Sequence, residues 1–239
     1  MAEKLKSISR QIHWSLLLKA AIFGLAWFFL PFWLFFLIAF YIYFVPFFQG
    51  HRFASPFAVI IILAFFEPPS IIFGFIFAAL FYYLSLIKNL LLIDRKTAYE
   101  ILIIILSFLL IRGFYERWGG SIGGASLWGA FFVAAILGIL LDSFMRNFGG
   151  SSEVPQIEGA RRISGWLSFV LFWQALMAGL FLPLDFIYQS IVVFLVGIVI
   201  IDLIPEHFFG GVSRSKIFMT AMTTFALLVL ILASAVWKI

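Results

Sequence analysis

Apolar residues run along this chain in long stretches, and short segments between them hold nearly all of its charge. A membrane-spanning helix needs about 20 consecutive apolar residues, and the runs predict nine membrane segments. The first stretch, Trp14–Phe48, is 35 residues long, too long for one helix and tight for two. Leu30-Pro31 divides it, because proline inside a helix removes a backbone hydrogen bond; the segments are then 14–30 and 32–48. A short run over 56–66 stops at Glu67-Pro68-Pro69, and a full segment follows over 70–87. Residues 98–111 form a second short segment, while 125–141, 163–183, 186–204 and 217–237 are complete. The expected fold is all-α: a polytopic transmembrane helical bundle forming a single integral membrane domain, with seven long segments and two short ones. The N-terminal pattern (Lys4, Lys6, Arg10, then apolar from Trp14) imitates a signal peptide, but no small-residue cleavage site follows. It is read as a retained first span.

Charge placement gives the bundle a sidedness. With the N-terminus cytoplasmic, the inner segments hold Lys4, Lys6, Arg10, Arg52, Lys88, Arg95, Lys96, Arg146, Arg161, Arg162, Arg214 and Lys216. The outer segments hold Arg112, Arg117 and Lys238, and Lys19 lies inside the first span. Twelve against three is the bias that positive residues show toward the cytoplasm. Dropping one short segment inverts every later loop and destroys the bias. Dropping both preserves it beyond that point, so seven spans is the alternative to nine. The net charge of +5 is thereby topological, and no nucleic-acid partner is needed to explain it.

Composition agrees. The chain is 64% hydrophobic and 11% charged, against roughly 25% charged residues in soluble domains. A soluble globule of this size could not hide so much apolar surface from water. Disorder, a coiled coil, a collagen-like fibre and a nucleic-acid module are excluded on the same ground. There is no cysteine, so disulfides, thiolate catalysis and Cys-ligated metals are excluded too. The 33 Phe, 8 Trp and 7 Tyr suit lipid-facing and interfacial positions.

The one long polar stretch, 142–165, carries Gly149-Gly150-Ser151-Ser152 and reads as a flexible linker between six N-terminal and three C-terminal spans. Shifting the chain by 152 residues aligns Trp14 with Trp166, Ala26 with Ala178, and Phe29-Leu30-Pro31 with Phe181-Leu182-Pro183. Those 5 identities in 35 positions hint at two similar Leu-Pro hairpins and no more.

The clearest functional pattern is steric. Ser126, Ala130, Ala134 and Gly138 recur every four residues in the sixth segment, as Ser70, Gly74 and Ala78 do in the fourth. Small residues at this spacing let helix backbones approach closely where lipid supplies no hydrophobic drive. They serve packing inside the bundle, or a docking face for a membrane protein partner or a second copy. Gly124-Ala125-Ser126, with Gly129-Ala130 after it, resembles the serine-bearing segment of rhomboid intramembrane proteases, and His207-Phe208-Phe209-Gly210-Gly211 is similar to their histidine segment. Leu127 stands where that family has Gly, and three crossings separate the outer Ser126 from the inner His207. A serine must reach its base directly, so the protease reading fails. A retinal protein fails as well, because Lys216 opens the last segment instead of occupying its middle.

The remaining titratable residues form an inner-face polar cluster: Asp202, Glu206 and His207 after the eighth segment, and His51 after the second. Carboxylates and imidazoles could hold a metal or act as an acid–base pair. Pro205, however, is expected to break the helical relation between Asp202 and Glu206, so the cluster is read as solvated loop residues. No catalytic residue, metal site or cofactor is assigned. Three functions are carried forward in order. The first is a non-enzymatic subunit or scaffold of an envelope complex, by fold-level analogy with small multi-span scaffolds. The second is a transporter or binding subunit for an apolar or weakly polar small molecule, suggested by the broken run before Glu67-Pro68-Pro69. The third is a membrane enzyme of the cytoplasmic face. A bacterial cytoplasmic membrane is the expected location.

Overall fold

Helix starts and stops follow from local chemistry. The computed structural model describes residues 2–45, 50–89, 94–119, 123–148, 155–209, 212–235 and 237. Its helices are α1 (Ala2–Phe29), α2 (Phe32–Phe44), α3 (Ala54–Phe66), α4 (Ile71–Lys88), α5 (Arg95–Trp118), α6 (Gly124–Phe148), α7 (Pro155–Leu180), α8 (Phe186–Phe209) and α9 (Arg214–Ser234), with a 3₁₀ turn at Gly50–Phe53. Ser70 and Ser213 cap α4 and α9 by accepting the backbone N–H of Phe73 and Lys216, each at 3.2 Å. Asp94 does the same for α5, accepting from the N–H of Thr97 at 3.1 Å and from its hydroxyl at 2.7 Å. Those bonds hold the Asp94 carboxyl below its ordinary value. The cap is therefore intact at neutral pH and is lost as pH falls through that depressed value.

This is a helical membrane bundle. Among the described residues six helices, α4 to α9, contain apolar stretches long enough to cross a bilayer, and three shorter apolar helical stretches precede them: Trp14–Phe29, Phe32–Phe44 and Gly50–Phe66. Leu30-Pro31 and Leu182-Pro183 both fall at the expected helix breaks. Among the described residues the only β pairing is a single bridge between Leu184 and Trp237.

Three boundaries differ from expectation, each because a charge or a proline was read as a loop. The short segment 98–111 belongs to the 24-residue α5. Its polar ends stay helical, with Asp94 capping one and Arg112 pairing with Glu116 at 3.0 Å, one turn apart, at the other. The proposed linker 142–165 is largely helix, since α6 continues to Phe148 and α7 begins at Pro155. Asp142 and Arg146 form another one-turn ion pair there, at 3.7 Å, and proline is well suited to a first helical position. The Gly149–Ser152 tract lies outside the described residues, as do 46–48 at the end of the second expected segment. Finally, α8 runs through Pro205 to Phe209; so near the helix end, the missing N–H removes one rung without ending the helix.

The chain divides into two compact units, residues 1–102 and 103–239, and the division falls within α5. It does not coincide with the expected linker, because α6 packs against α7 inside the second unit. In the first unit α1 packs on α2 and α4, and α4 also packs on α3. Its core is aromatic: Phe23 stacks on Phe81 with centroids 4.4 Å apart, and Tyr43 stacks on Phe57 at 4.0 Å. In the second unit α6, α7, α8 and α9 pack in sequential pairs. No residue of α9 is buried. Trp33 and Trp128, in the first turns of α2 and α6, are exposed, as are Trp14, which opens the apolar stretch of α1, and Trp166, near the start of that of α7. Indoles near the ends of apolar stretches suit a membrane–water boundary.

Candidate functional site

The polar residues of the first unit act on helix ends. The last carbonyls of any α-helix have no partner within it, and basic side chains there also complement the helix dipole. At the end of α2, Lys19 from α1 donates to the Val45 carbonyl at 2.6 Å, and Lys88 from α4 donates to the Tyr43 carbonyl. Lys88 is buried, and its ammonium lies 4.6 Å from the centroid of the Tyr43 ring. Arg95 reaches the Ile87 carbonyl of α4 at 3.1 Å. At the other end of the unit, Pro68 has no N–H to offer the carbonyl of Ala64 four residues earlier. The buried indole of Trp27 donates to that carbonyl at 2.8 Å. Proline made the break, and tryptophan from another helix closes it.

Of the small-residue positions, Gly138, Gly74 and Ala78 lie against a neighbouring helix. Ser126, Ala130, Ala134 and Gly138 are buried within the second unit. A Cβ added at Gly138 would stand 3.3 Å from the Phe169 Cβ of α7. Ser126 closes on its own helix start, its hydroxyl donating to the Gly123 carbonyl at 2.8 Å and accepting the Gly123 N–H at 2.9 Å. In the first unit, Gly74 and Ala78 face Gly24 of α1, and Ser70 is the α4 cap. Gly24 was missed in the sequence; its signal is the Ala20–Gly24 spacing of four, half hidden by the large residues around it.

The polar cluster of Asp202, Glu206, His207 and His51 assembles differently from expectation. Because α8 continues past Pro205, Asp202 and Glu206 stay one turn apart, and Lys216 of α9 bridges them. Its Nζ lies 2.8 Å from Asp202 Oδ1 and 2.5 Å from Glu206 Oε1. Thr220, one turn further along α9, donates to Asp202 Oδ2 at 3.4 Å. His207 is exposed beside them, while His51 belongs to the first unit, exposed in the 3₁₀ turn. Among the described residues no group of three or more His, Cys, Asp or Glu is placed to hold a metal ion. The arrangement is an ion-pair clasp between α8 and α9; in the sequence Lys216 reads as a topological charge that opens the last segment, and nothing local marks its two partners. Lys216→Met should therefore destabilise the protein by about 1 kcal/mol, since it also leaves two neighbouring carboxylates uncompensated. The triple variant Asp202→Asn, Glu206→Gln, Lys216→Met should lie closer to wild type, because the charges leave together. Thermal unfolding in detergent checks the order; a triple variant weaker than the single one would refute the clasp.

A second charged group ties α6 to α7. Arg161 Nε lies 3.3 Å from Asp142 Oδ1, and Arg146 approaches the other oxygen of the same carboxylate. The chain matches no family model, no curated protein and no solved structure.

Proposed function

We propose that this protein is a non-enzymatic membrane subunit or scaffold of an envelope complex, resident in a bacterial cytoplasmic membrane with its N-terminus cytoplasmic. The supporting observation is the use made of its polar side chains. Lys19, Lys88, Arg95 and Trp27 each donate to a carbonyl at or near a helix end, and Lys216 and Arg161 clasp one helix to the next. Groups so committed hold an architecture, where a transport path or a reaction centre needs them available to a substrate. The break at Glu67-Pro68-Pro69, which favoured a transporter, is closed by Trp27, and this weighs for the structural role. The exposed flank of α9 gives such a subunit a membrane-length surface to present.

Copurification from native membranes with mass spectrometry tests the reading. A stoichiometric membrane protein retained with the chain supports it; a retained small molecule with no protein partner supports the transporter instead. Sidedness has its own test, clean because the chain has no cysteine. Ser151→Cys should resist an impermeant thiol reagent in intact cells and react after permeabilisation, and labelling in intact cells would reverse the topology.

A further inference from the structure

Gln189, in the first turn of α8, is 1% exposed. Its Nε2 donates to the Leu182 carbonyl at 2.9 Å, and that carbonyl also accepts the Leu184 N–H at 2.8 Å. These bonds fix which way the carboxamide points, because a flipped amide would set Oε1 against the Leu182 oxygen. Oε1 therefore turns toward the end of α5, where it is buried and has no hydrogen-bond donor among the described residues. What it meets there is another acceptor. A Cβ built on Gly119, the residue after α5, would stand 2.7 Å from Gln189 Oε1 and closer still to the Tyr115 carbonyl oxygen. That oxygen accepts the Gly119 N–H at 2.7 Å and keeps a second lone pair. The next atom to the same point, chain neighbours aside, is the Tyr115 carbonyl carbon at 3.3 Å, so no third residue comes nearer. Gly119 is exposed, which sets the two oxygens just beneath the surface of the second unit.

We propose that one bound water molecule bridges Gln189 Oε1 and the Tyr115 carbonyl, giving a hydrogen to each. The bridge completes a chain of bonds from the α7–α8 turn through Gln189 to α5. Two acceptors beside one point call for a donor with two hydrogens. An unbonded carboxamide oxygen is costly once buried, and a helical bundle in lipid has little else to offer it. Buried waters sit where two to four polar groups converge. An anion would bring a third acceptor to the two already there, and an apolar group would bond to neither. A hard cation takes about six or more oxygens, and two converge here. Glycine at 119 leaves the room, since any side chain would begin at the point both oxygens flank. The inference concerns the second unit alone and is independent of the scaffold role and the sidedness.

Crystals of the full-length protein grown in a lipidic mesophase, diffracting well enough to order buried waters, test this directly. Density should stand about 2.8 Å from both oxygens in the wild type. Gln189→Leu keeps much of the side chain's bulk and removes its polar atoms. It should lose the density and lower the unfolding temperature by about 4–8 °C, the scale of two buried hydrogen bonds in a chain of this length. Gly119→Ala puts a methyl between the oxygens, so it should lose the density and keep the Gln189–Leu182 bond. If either variant fails to fold, the wild-type map still decides. No density between the two oxygens, or an N–H or hydroxyl of the chain bonded to Oε1 in its place, would overturn the proposal. So would density that persists in Gln189→Leu, since something other than Gln189 would then hold it. Crystals grown with rubidium in place of sodium separate water from a cation, and an anomalous peak at the site would overturn the proposal as well.

Discussion

Alanine at Gly179 should be among the most damaging single substitutions in this protein. Gly179 lies near the end of α7, where Tyr115 of α5 and Val193 of α8 close over it, both almost fully buried. A Cβ there would collide with the Tyr115 hydroxyl and come within 2.6 Å of Val193 Cγ2. The hydroxyl has little freedom to retreat, because it donates to the Leu176 carbonyl at 2.6 Å. The methyl therefore either displaces the tyrosine and breaks that bond or forces the helices apart. Overpacking costs about 1–3 kcal/mol and a lost buried hydrogen bond about 1 kcal/mol more, so Gly179→Ala should cost roughly 3 kcal/mol. Tyr115→Phe alone should cost about 1 kcal/mol. In the double variant the oxygen that met the methyl is gone, and the combined loss should be smaller than the sum. Thermal or denaturant unfolding of the four proteins gives the coupling directly. Strict additivity would mean that the two residues do not share this space.

Much of the architecture could be read from residue order because lipid imposes a simple demand. Backbone groups inside a bilayer must bond within the protein, so an apolar run becomes a helix and a Leu-Pro step ends one. That logic located the breaks at Pro31, Pro68 and Pro183. It failed where charge was taken as the mark of a loop. Arg112 and Glu116 stay in α5, and Asp142 and Arg146 stay in α6, because partners one turn apart satisfy each other along a helix flank. Pro205 misled in the opposite way, since a proline near a helix end sacrifices only one bond. Position within the helix decides what a proline does, and the mark for the end of α8 is Gly210-Gly211, directly after Phe209, and not Pro205.

The same asymmetry governs the sites. The spacing by four in α6 is legible because it is a local property of one helix, and its four positions are buried. The roles of Lys88, Trp27 and Lys216 are not, because each acts on a carbonyl or carboxylate of another helix, separated by 45, 37 and 10 or 14 residues. Which carbonyl lacks a partner can be anticipated: Pro68 announces it at Ala64. Which side chain supplies the bond depends on how α1 lies across α3, and that is settled by packing. The Asp142–Arg161 pair between α6 and α7 was hidden for a further reason. Asp142, Arg146 and Arg161 all lie in the stretch 142–165 that reads as a linker, so no helix placed them side by side.

Gly24 shows how much one small residue missed in the sequence can matter, and Gly24→Leu should destabilise the first unit by several kcal/mol. A Cβ at this position would lie 3.0 Å from both the Ala78 Cβ and the Gly74 carbonyl oxygen of α4. Neither neighbour is the free end of a flexible side chain, so relief requires the helices to move apart. That movement disturbs what the close approach aligns. Phe23, beside Gly24, stacks on Phe81, and Trp27 meets Phe77 edge-on at 5.0 Å while its indole bonds to Ala64. Leucine adds a branched side chain beyond the clashing Cβ, and the loss should exceed the about 1–3 kcal/mol of ordinary overpacking. Leu25→Ala is the control: Leu25 is exposed, so truncating it removes lipid contact without touching the helix pair. Unfolding in detergent should show a large loss for Gly24→Leu and little change for Leu25→Ala. Crosslinks between cysteines placed at Ala20 and Ala78 should form in the Leu25→Ala background and weaken in Gly24→Leu. If the two backgrounds crosslink equally and unfold together, α1 and α4 do not meet at Gly24, and the close contact assigned to this pair is wrong.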